Sequence, residues 1–323
     1  MTDVGLDGAV LNGQLDFSFD YYIKKTTAIL LNNPIPETVG LGAPEQNAGS
    51  VQNKGWEFTI GYKGQVGNDF KYGARFNLSD VHNKILDMKG GDYLNQNNDN
   101  IIWAYYAGQP IASYYGYVSE GILRTDAQVT GHDKQFGNNV VIGDLGYKDL
   151  NGDNVIDSKD RTFIGSDIPR YTYGLNLNAS YKGFDLTAFF QGVGKVDINT
   201  LQFNKAPTNA DGNFKDFQTD NWTPDNVGAS FPRLNTGSQN YVSSSFWIKS
   251  GMYLRLKNLQ LGYTIPVLFS QKVGISRCRF YLAGQNLITW SALNKYGIDP
   301  ENPTDNRYYP QVKTYTIGVN VEF

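Results

Sequence analysis

The chain has 323 residues and a formal net charge of −3; 18% of its residues are charged, 40% hydrophobic and 14% aromatic. No stretch approaches the ~18 consecutive apolar residues of a membrane helix, since the best candidate, 101–118, is interrupted by Gln109, Pro110 and Ser113. There is no basic block suited to nucleic acid, and one cysteine (Cys278) with two distant histidines (His82 and His132) leaves no material for a disulfide framework or a Cys/His metal site.

Taken in chain order, 1–8 carries neither a basic region nor an apolar core, so no signal peptide is expected. From there, period-two alternation recurs, the mark of a strand with one apolar face. Leu15, Phe17, Phe19, Tyr21 and Ile23 alternate with polar residues, as do Trp56, Phe58, Ile60 and Tyr62, and then Tyr72, Ala74, Phe76 and Leu78. The run from Tyr171 to Tyr181 repeats the pattern, turns at Lys182-Gly183 and resumes at Phe184, which predicts a hairpin. Leu254 and Leu256 pass out of phase into Leu259, Leu261 and Tyr263, predicting a bulge near Lys257-Asn258. A further strand is expected over 277–288. The last, Tyr315, Ile317, Val319, Val321 and Phe323, ends the chain.

The strands so predicted are about 10–13 residues long, with aromatics near their ends, as in a tilted transmembrane β-strand. A soluble β-sandwich shares the alternation, but its strands are commonly shorter. The gaps are uneven: short turns such as 62–69, and long loops over roughly 83–170, 196–250 and 289–312. Short turns at one end and long loops at the other is the asymmetry of an outer-membrane barrel. The fold class expected is therefore all-β: an antiparallel transmembrane β-barrel segment with long extracellular loops.

The segment 149–160 places oxygen donors at Asp149, Asn151, Asp153, Asp157 and Asp160, with the Val155 carbonyl between them. These are positions 1, 3, 5, 9, 12 and 7 of a twelve-residue calcium loop, a spacing that wraps a hard cation in oxygens. Asn154 stands where such loops turn sharply, and Asn tolerates the left-handed conformation. A structural Ca²⁺ in the loop is weighed here against a metal-free turn rich in Asp and Asn. Trp103, Tyr105, Tyr106 and Trp222 are candidates for stacking substrate, and Trp247, Arg124 and Arg233 are weighed beside them, each against local packing. Catalysis is not expected, because no Ser elbow or nucleophile–base pair is visible.

Together these segments resemble the C-terminal barrel portion of the SusC/RagA-type TonB-dependent outer-membrane transporters. The resemblance is carried by NGQLDFSFDYY at 12–22, NKGWEFTIGY at 53–62, GQPIASYYGY at 108–117 and DLNGDNVIDSKDRTFIG at 149–165. It continues in IPRYTYG at 168–174, WTPDN at 222–226, FPR at 231–233, YLRLKNLQLGYTIP at 253–266, GQN at 284–286 and GIDPE at 297–301. It implies about eight or nine strands of a 22-stranded barrel, with the plug domain, TonB box and signal peptide absent. It also implies uptake of oligosaccharides, glycans or peptides at the outer membrane of a Gram-negative bacterium. The implied partners are a SusD-type surface lipoprotein, the TonB–ExbB–ExbD complex acting through the missing N-terminal part, membrane lipid and the barrel assembly machinery. That machinery would read Tyr315, Ile317, Val319, Val321 and Phe323. The competing expectation is a soluble or surface all-β binding module stabilised by calcium.

Overall fold

The computed structural model describes all residues except 33–39, 41–43, 98–99, 206–215, 236–238, 271, 273, 303–308 and 310, so parts of the expected long loops lie outside the described residues. Nine strands form one antiparallel sheet: β1 (Thr2–Val10), β2 (Leu15–Asn32), β3 (Glu45–Val66), β4 (Phe70–Asp87), β5 (Tyr171–Tyr181), β6 (Phe184–Gly194), β7 (Tyr253–Thr264), β8 (Arg277–Ser291) and β9 (Thr314–Glu322). Each pairs with its successor, and the sheet is open, with β1 and β9 as its edges among the described residues. Connections at one end are 11–14, 67–69, 182–183 and the twelve-residue 265–276, and at the other the twelve-residue 33–44 and the long 88–170, 195–252 and 292–313, so most of the chain outside the sheet lies at one end. Lys182 and Gly183 both have positive φ, 45° and 87°, the two-residue turn whose twist suits a hairpin.

Register turns this alternation into a continuous apolar face. One row runs Gly8–Phe17–Ile60–Phe76–Leu175–Phe190–Leu256–Ile288 across eight strands. The row beside it runs Tyr62–Ala74–Leu177–Ala188–Leu259–Gly284–Tyr315. A bulge at Lys257 keeps Leu256 and Leu259 on one face, which is the phase change expected there. Aromatics bound the face at both ends. Tyr62 and Tyr72 (5.9 Å), Phe70 and Tyr181 (6.4 Å), and Phe184 and Tyr263 (4.6 Å) meet near the short turns. Phe19 packs on Trp56 (6.3 Å) toward the other end. At ~3.3 Å per residue and a tilt of ~40°, the 11 residues of β5 rise ~28 Å, close to the ~25 Å apolar band of an outer-membrane barrel.

The buried core is not on this face. Tyr114, Tyr117, Leu145, Tyr147, Ile156, Leu201, Phe203, Trp247 and Leu293 come from the long connections and pack into one cluster there. These connections fold into a cap. Among the described residues it contains a four-stranded sheet (Tyr93–Gln96, Ile102–Tyr105, Ser113–Tyr117, Arg161–Ser166) and three short ladders, Ser119–Ile122 with Leu145–Tyr147, Lys134–Gln135 with Val155–Ile156, and Asp197–Asn199 with Ile248–Ser250. Segment 239–247 lies so close on the strand Ser113–Tyr117 that a Cβ on Gly116 would meet the Ser243 carbonyl. The Tyr117 amide donates to that same carbonyl at 2.9 Å. A sheet with an exposed apolar face, capped by a separately packed core, is the inverse of a soluble sandwich.

Three sequence expectations need correction. The segment 1–10, read only for targeting signals, is the strand β1. Strand lengths run from 9 to 22 residues instead of 10–13, because β2, β3 and β4 continue beyond the apolar band, where alternation between apolar and polar residues stops. The segments read only as long loops carry their own sheets and core.

Candidate functional site

Where the cap meets the polar face of the sheet there is a cavity of about 540 Å³. Gln191 and Val193 of β6 and Tyr253 and Lys257 of β7 form its wall, and Asp167, Pro169, Gly251, Pro300 and Glu301 close it from the cap. The polar face is the one opposite the apolar rows, so the cavity opens toward the lumen side of the sheet.

Its electrostatics rest on one buried network. Arg255 on β7 is 2% exposed. Its guanidinium donates to Glu301 Oε2 (2.8 Å), Asp299 Oδ1 (2.8 Å) and Thr289 Oγ1 (2.8 Å). Lys257 Nζ donates to both Glu301 oxygens (3.0 and 2.9 Å), and the Glu301 amide donates to Asp299 Oδ1 (2.8 Å). Two cations against two carboxylates leave the group neutral, and hydrogen bonding on several sides offsets desolvation. The network ties the 292–302 segment to the inner wall. Asp167 differs: burial pushes its carboxyl pKa up from the ordinary aspartate value.

A second polar centre holds the cap together. Asp144, 1% exposed, accepts from Arg233 Nε (2.7 Å), Gln239 Nε2 (3.0 Å) and Asn240 Nδ2 (3.1 Å). Asn240 in turn accepts from the Leu145 amide (2.8 Å), and its carbonyl takes the Trp247 indole N–H (2.9 Å). Arg233 and Trp247 are therefore members of cap packing. Arg124 behaves likewise, donating to the Val227 and Ala229 carbonyls. Cys278 is buried on β8.

The four aromatic candidates are dispersed. Trp103 packs beside Tyr114 (6.2 Å), Tyr105 stacks on Tyr93 (4.5 Å, 8°), and Tyr106 stacks on Tyr115 (6.2 Å) with its edge to Phe163. Trp222 packs against the main cap core. None of the four lines the mouth cavity.

The 149–160 loop closes on its own backbone. Asp149 accepts from the amides of Asn151, Gly152 and Asn154 (3.1, 2.7 and 2.8 Å), and these bonds hold its carboxyl below the usual range. Asn151 Oδ1 takes the Asp153 amide (2.8 Å), Asp153 that of Val155 (3.1 Å) and Asp157 that of Lys159 (2.7 Å). Asp160 is fully buried and accepts from Leu150 and Asp157 (2.9 and 2.8 Å). Asn154 adopts φ 61°, the left-handed turn expected of it. The donor types suit Ca²⁺, yet among the described residues no three His, Cys, Asp or Glu side chains gather as a metal cluster.

Tyr315, Ile317, Val319, Val321 and Phe323 lie at the outer edge of the sheet. The first four project from β9 in register with Gly284, Leu282, Phe280 and Cys278 of β8, and Phe323 follows the strand. The residues that reasoning from sequence missed are Asp167, Gln191, Arg255, Lys257 and Glu301. Their signal lay in the polar face of β7 and in the 297–301 segment, which was noted only as part of a resemblance.

No family model matches the chain. TonB-dependent receptor P3 of Formosa agariphila is 33% identical over 99% of this chain and 34% of its own length. The TonB-dependent receptor SusC of Bacteroides thetaiotaomicron is 27% identical over 99% of this chain and 31% of its own. Among solved structures, the RagAB peptide transporter superposes with a TM-score of 0.76 at 26% identity, over 99% of this chain and 35% of that one. The RagAB peptide importer in its open-open state gives 0.78. The chain thus spans about a third of the length of the curated relatives it matches. These relatives are receptors and transporters, not enzymes.

Proposed function

Because this chain is a SusC/RagA-type β-barrel segment, related over nearly its whole length to TonB-dependent receptors, we propose that it forms wall and mouth of a TonB-dependent transporter that takes up nutrients across the outer membrane of a Gram-negative bacterium. The observation that carries this is the uninterrupted apolar face across the nine strands, with the packed core confined to the cap. Nine strands would be part of a larger barrel of about 22, whose lumen is filled by a plug. Energy would come from TonB–ExbB–ExbD through other parts of the protein.

The mouth cavity offers Lys257, Glu301, Asp167 and the Gln191 amide together, a set suited to backbone amides and both chain termini of a peptide. A peptide is therefore the substrate we favour over an oligosaccharide, in keeping with the peptide cargo of the RagAB structures. Trp103, Tyr105, Tyr106 and Trp222 would shape the cap behind the mouth, and a SusD-type lipoprotein would cover it. Residues Tyr315 to Phe323 would be the strand read by the barrel assembly machinery. For the 149–160 loop we propose a structural Ca²⁺, supported by the donor types and the Asn154 turn; its effect would be to stiffen the cap. Titrating Ca²⁺ should then slow protease cleavage within 145–165, and equal cleavage with and without chelator removes the metal.

The test of function is extraction and binding. Membrane-inserted protein should need detergent for release and should bind mixed peptides more tightly than oligosaccharides, with Lys257→Ala and Glu301→Ala weakening peptide binding. Recovery as an aqueous monomer would favour the soluble calcium-stabilised binding module instead.

A further inference from the structure

Three charged side chains line the mouth cavity among the described residues, Asp167, Lys257 and Glu301. Two of them neutralise each other. Lys257 Nζ bonds both Glu301 oxygens (3.0 and 2.9 Å), and Arg255 adds a further bond to the same carboxylate (2.8 Å). A ligand cation at Glu301 has to displace Lys257. Asp167 has no such partner: among the described residues no cation pairs with it, and the one group that eases its charge is its own amide. That charge is felt by two hydroxyls, since burial first and Asp167 second make Tyr105 and Tyr114 harder to ionise. The chain around Asp167 is nevertheless held in place. The Ser166 amide before it bonds Asp197 Oδ2 (3.1 Å), Pro169 restricts the backbone after it, and Arg170 bonds Asp80 twice (2.8 and 3.1 Å).

A carboxylate kept in a partly buried site without a counter-ion costs stability, and such groups persist where binding requires them. What the cavity lacks is a cation, and its other walls narrow the choice. Val193, Val196 and Ile198 give it an apolar side, which suits a small hydrocarbon group and not a metal ion that wants oxygen on every side. The Gln191 amide can both donate to and accept from a peptide unit. At about 540 Å³ the space falls within the ~300–1,000 Å³ of small-ligand pockets, room for the end of a chain. We propose that Asp167 is the specificity-determining residue of the mouth, pairing with the free N-terminal ammonium of a short peptide whose first side chain lies on the Val193–Val196–Ile198 wall. The ligand supplies the counter-charge that the protein withholds, so bound and empty states differ by one completed ion pair. This deepens the peptide reading above and rests on it.

The test is isothermal titration calorimetry on the membrane-inserted protein in nanodiscs with three probes: tetra-alanine, N-acetyl-tetra-alanine, and an N-acetylated alanine tetrapeptide carrying one lysine. Tetra-alanine is expected to bind about ten- to a hundredfold more tightly than its acetylated form, the worth of one hydrogen bond to a charged group. Asp167→Asn keeps the side-chain shape and removes the charge, so it should bind both forms equally, at the weaker level. A melting temperature no lower than that of the unsubstituted protein at neutral pH shows that this variant is folded. Asp126→Asn, which removes an exposed cap acid that does not line the cavity, should keep the full discrimination. Discrimination that survives Asp167→Asn overturns the proposal. So does full recovery of affinity by the acetylated lysine peptide, which assigns the ammonium to a side chain. Binding of none of the peptides defeats the peptide reading and the inference together, whereas equal binding of free and acetylated peptide leaves that reading standing and defeats the inference alone.

Discussion

Arg255 illustrates what a single buried cation does on the inner wall. Its two carboxylate partners belong to a segment some 45 residues further along the chain, so the guanidinium sets where that segment rests. Replacing it with Met removes the guanidinium from Asp299 and Glu301 while Lys257 still bonds Glu301, and breaking one side of a buried pair costs about 3 kcal/mol. Arg255→Met should therefore release 292–302 to protease while the strands stay folded; Glu301→Gln, which keeps hydrogen bonding, should do so less. Asp167 sets a pH dependence. Burial raises its carboxyl pKa above the ordinary aspartate value, so the folded state holds that proton more tightly than the unfolded chain. The contribution is present in acid and lost as pH rises through the folded value. Asp167→Asn should flatten this dependence and raise the melting temperature of the cap at neutral pH, as read by scans at pH 4 and pH 7. Neither residue announced itself in sequence: a lone Arg on an alternating strand and a lone Asp in a loop acquire meaning only through partners brought in by folding.

Strands were the most legible elements, because a two-residue period survives whatever the environment. Leu177 sits in the middle of the apolar band and Asn176 beside it faces the lumen. Leu177→Arg is expected to cost ~2–4 kcal/mol in a denaturant titration of the inserted protein, while Asn176→Arg should cost well under 1 kcal/mol. Equal costs would mean that the two faces are not lipid and lumen. The bulge at Lys257 and the turn at Lys182-Gly183 were also readable, since a phase slip and a Gly-bearing turn are local signals. Strand ends were not. Beyond Tyr21 the chain continues through Lys24, Lys25 and Thr26 within β2, held by pairing to β3 and not by any contrast between its faces. The cap strands, some only two or three residues long, are too short for periodicity to register.

The molecule divides into a wall that exposes its apolar side and a cap that buries its own. Trp247, 1% exposed, joins Phe231, Tyr241 and Phe246 by ring contacts (6.3, 5.8 and 4.8 Å) and bonds Asn240 through its indole. Trp247→Ala removes the centre of that packing and should cost about 3–5 kcal/mol. Because stability is regional, amides of 239–250 should lose hydrogen-exchange protection while those of β5 and β6 keep theirs; loss in both would show that wall and cap unfold as one unit. The sequence by itself determined the wall: alternation dictates which side chains share a face, and low charge on that face dictates contact with lipid. It also determined the turn at Asn154, where a local conformational preference suffices. Only the tertiary structure decided the cap core, the mouth cavity and the buried Arg255 network. Each joins residues from strands or loops tens of residues apart, and their register and packing are cooperative properties that no local pattern encodes.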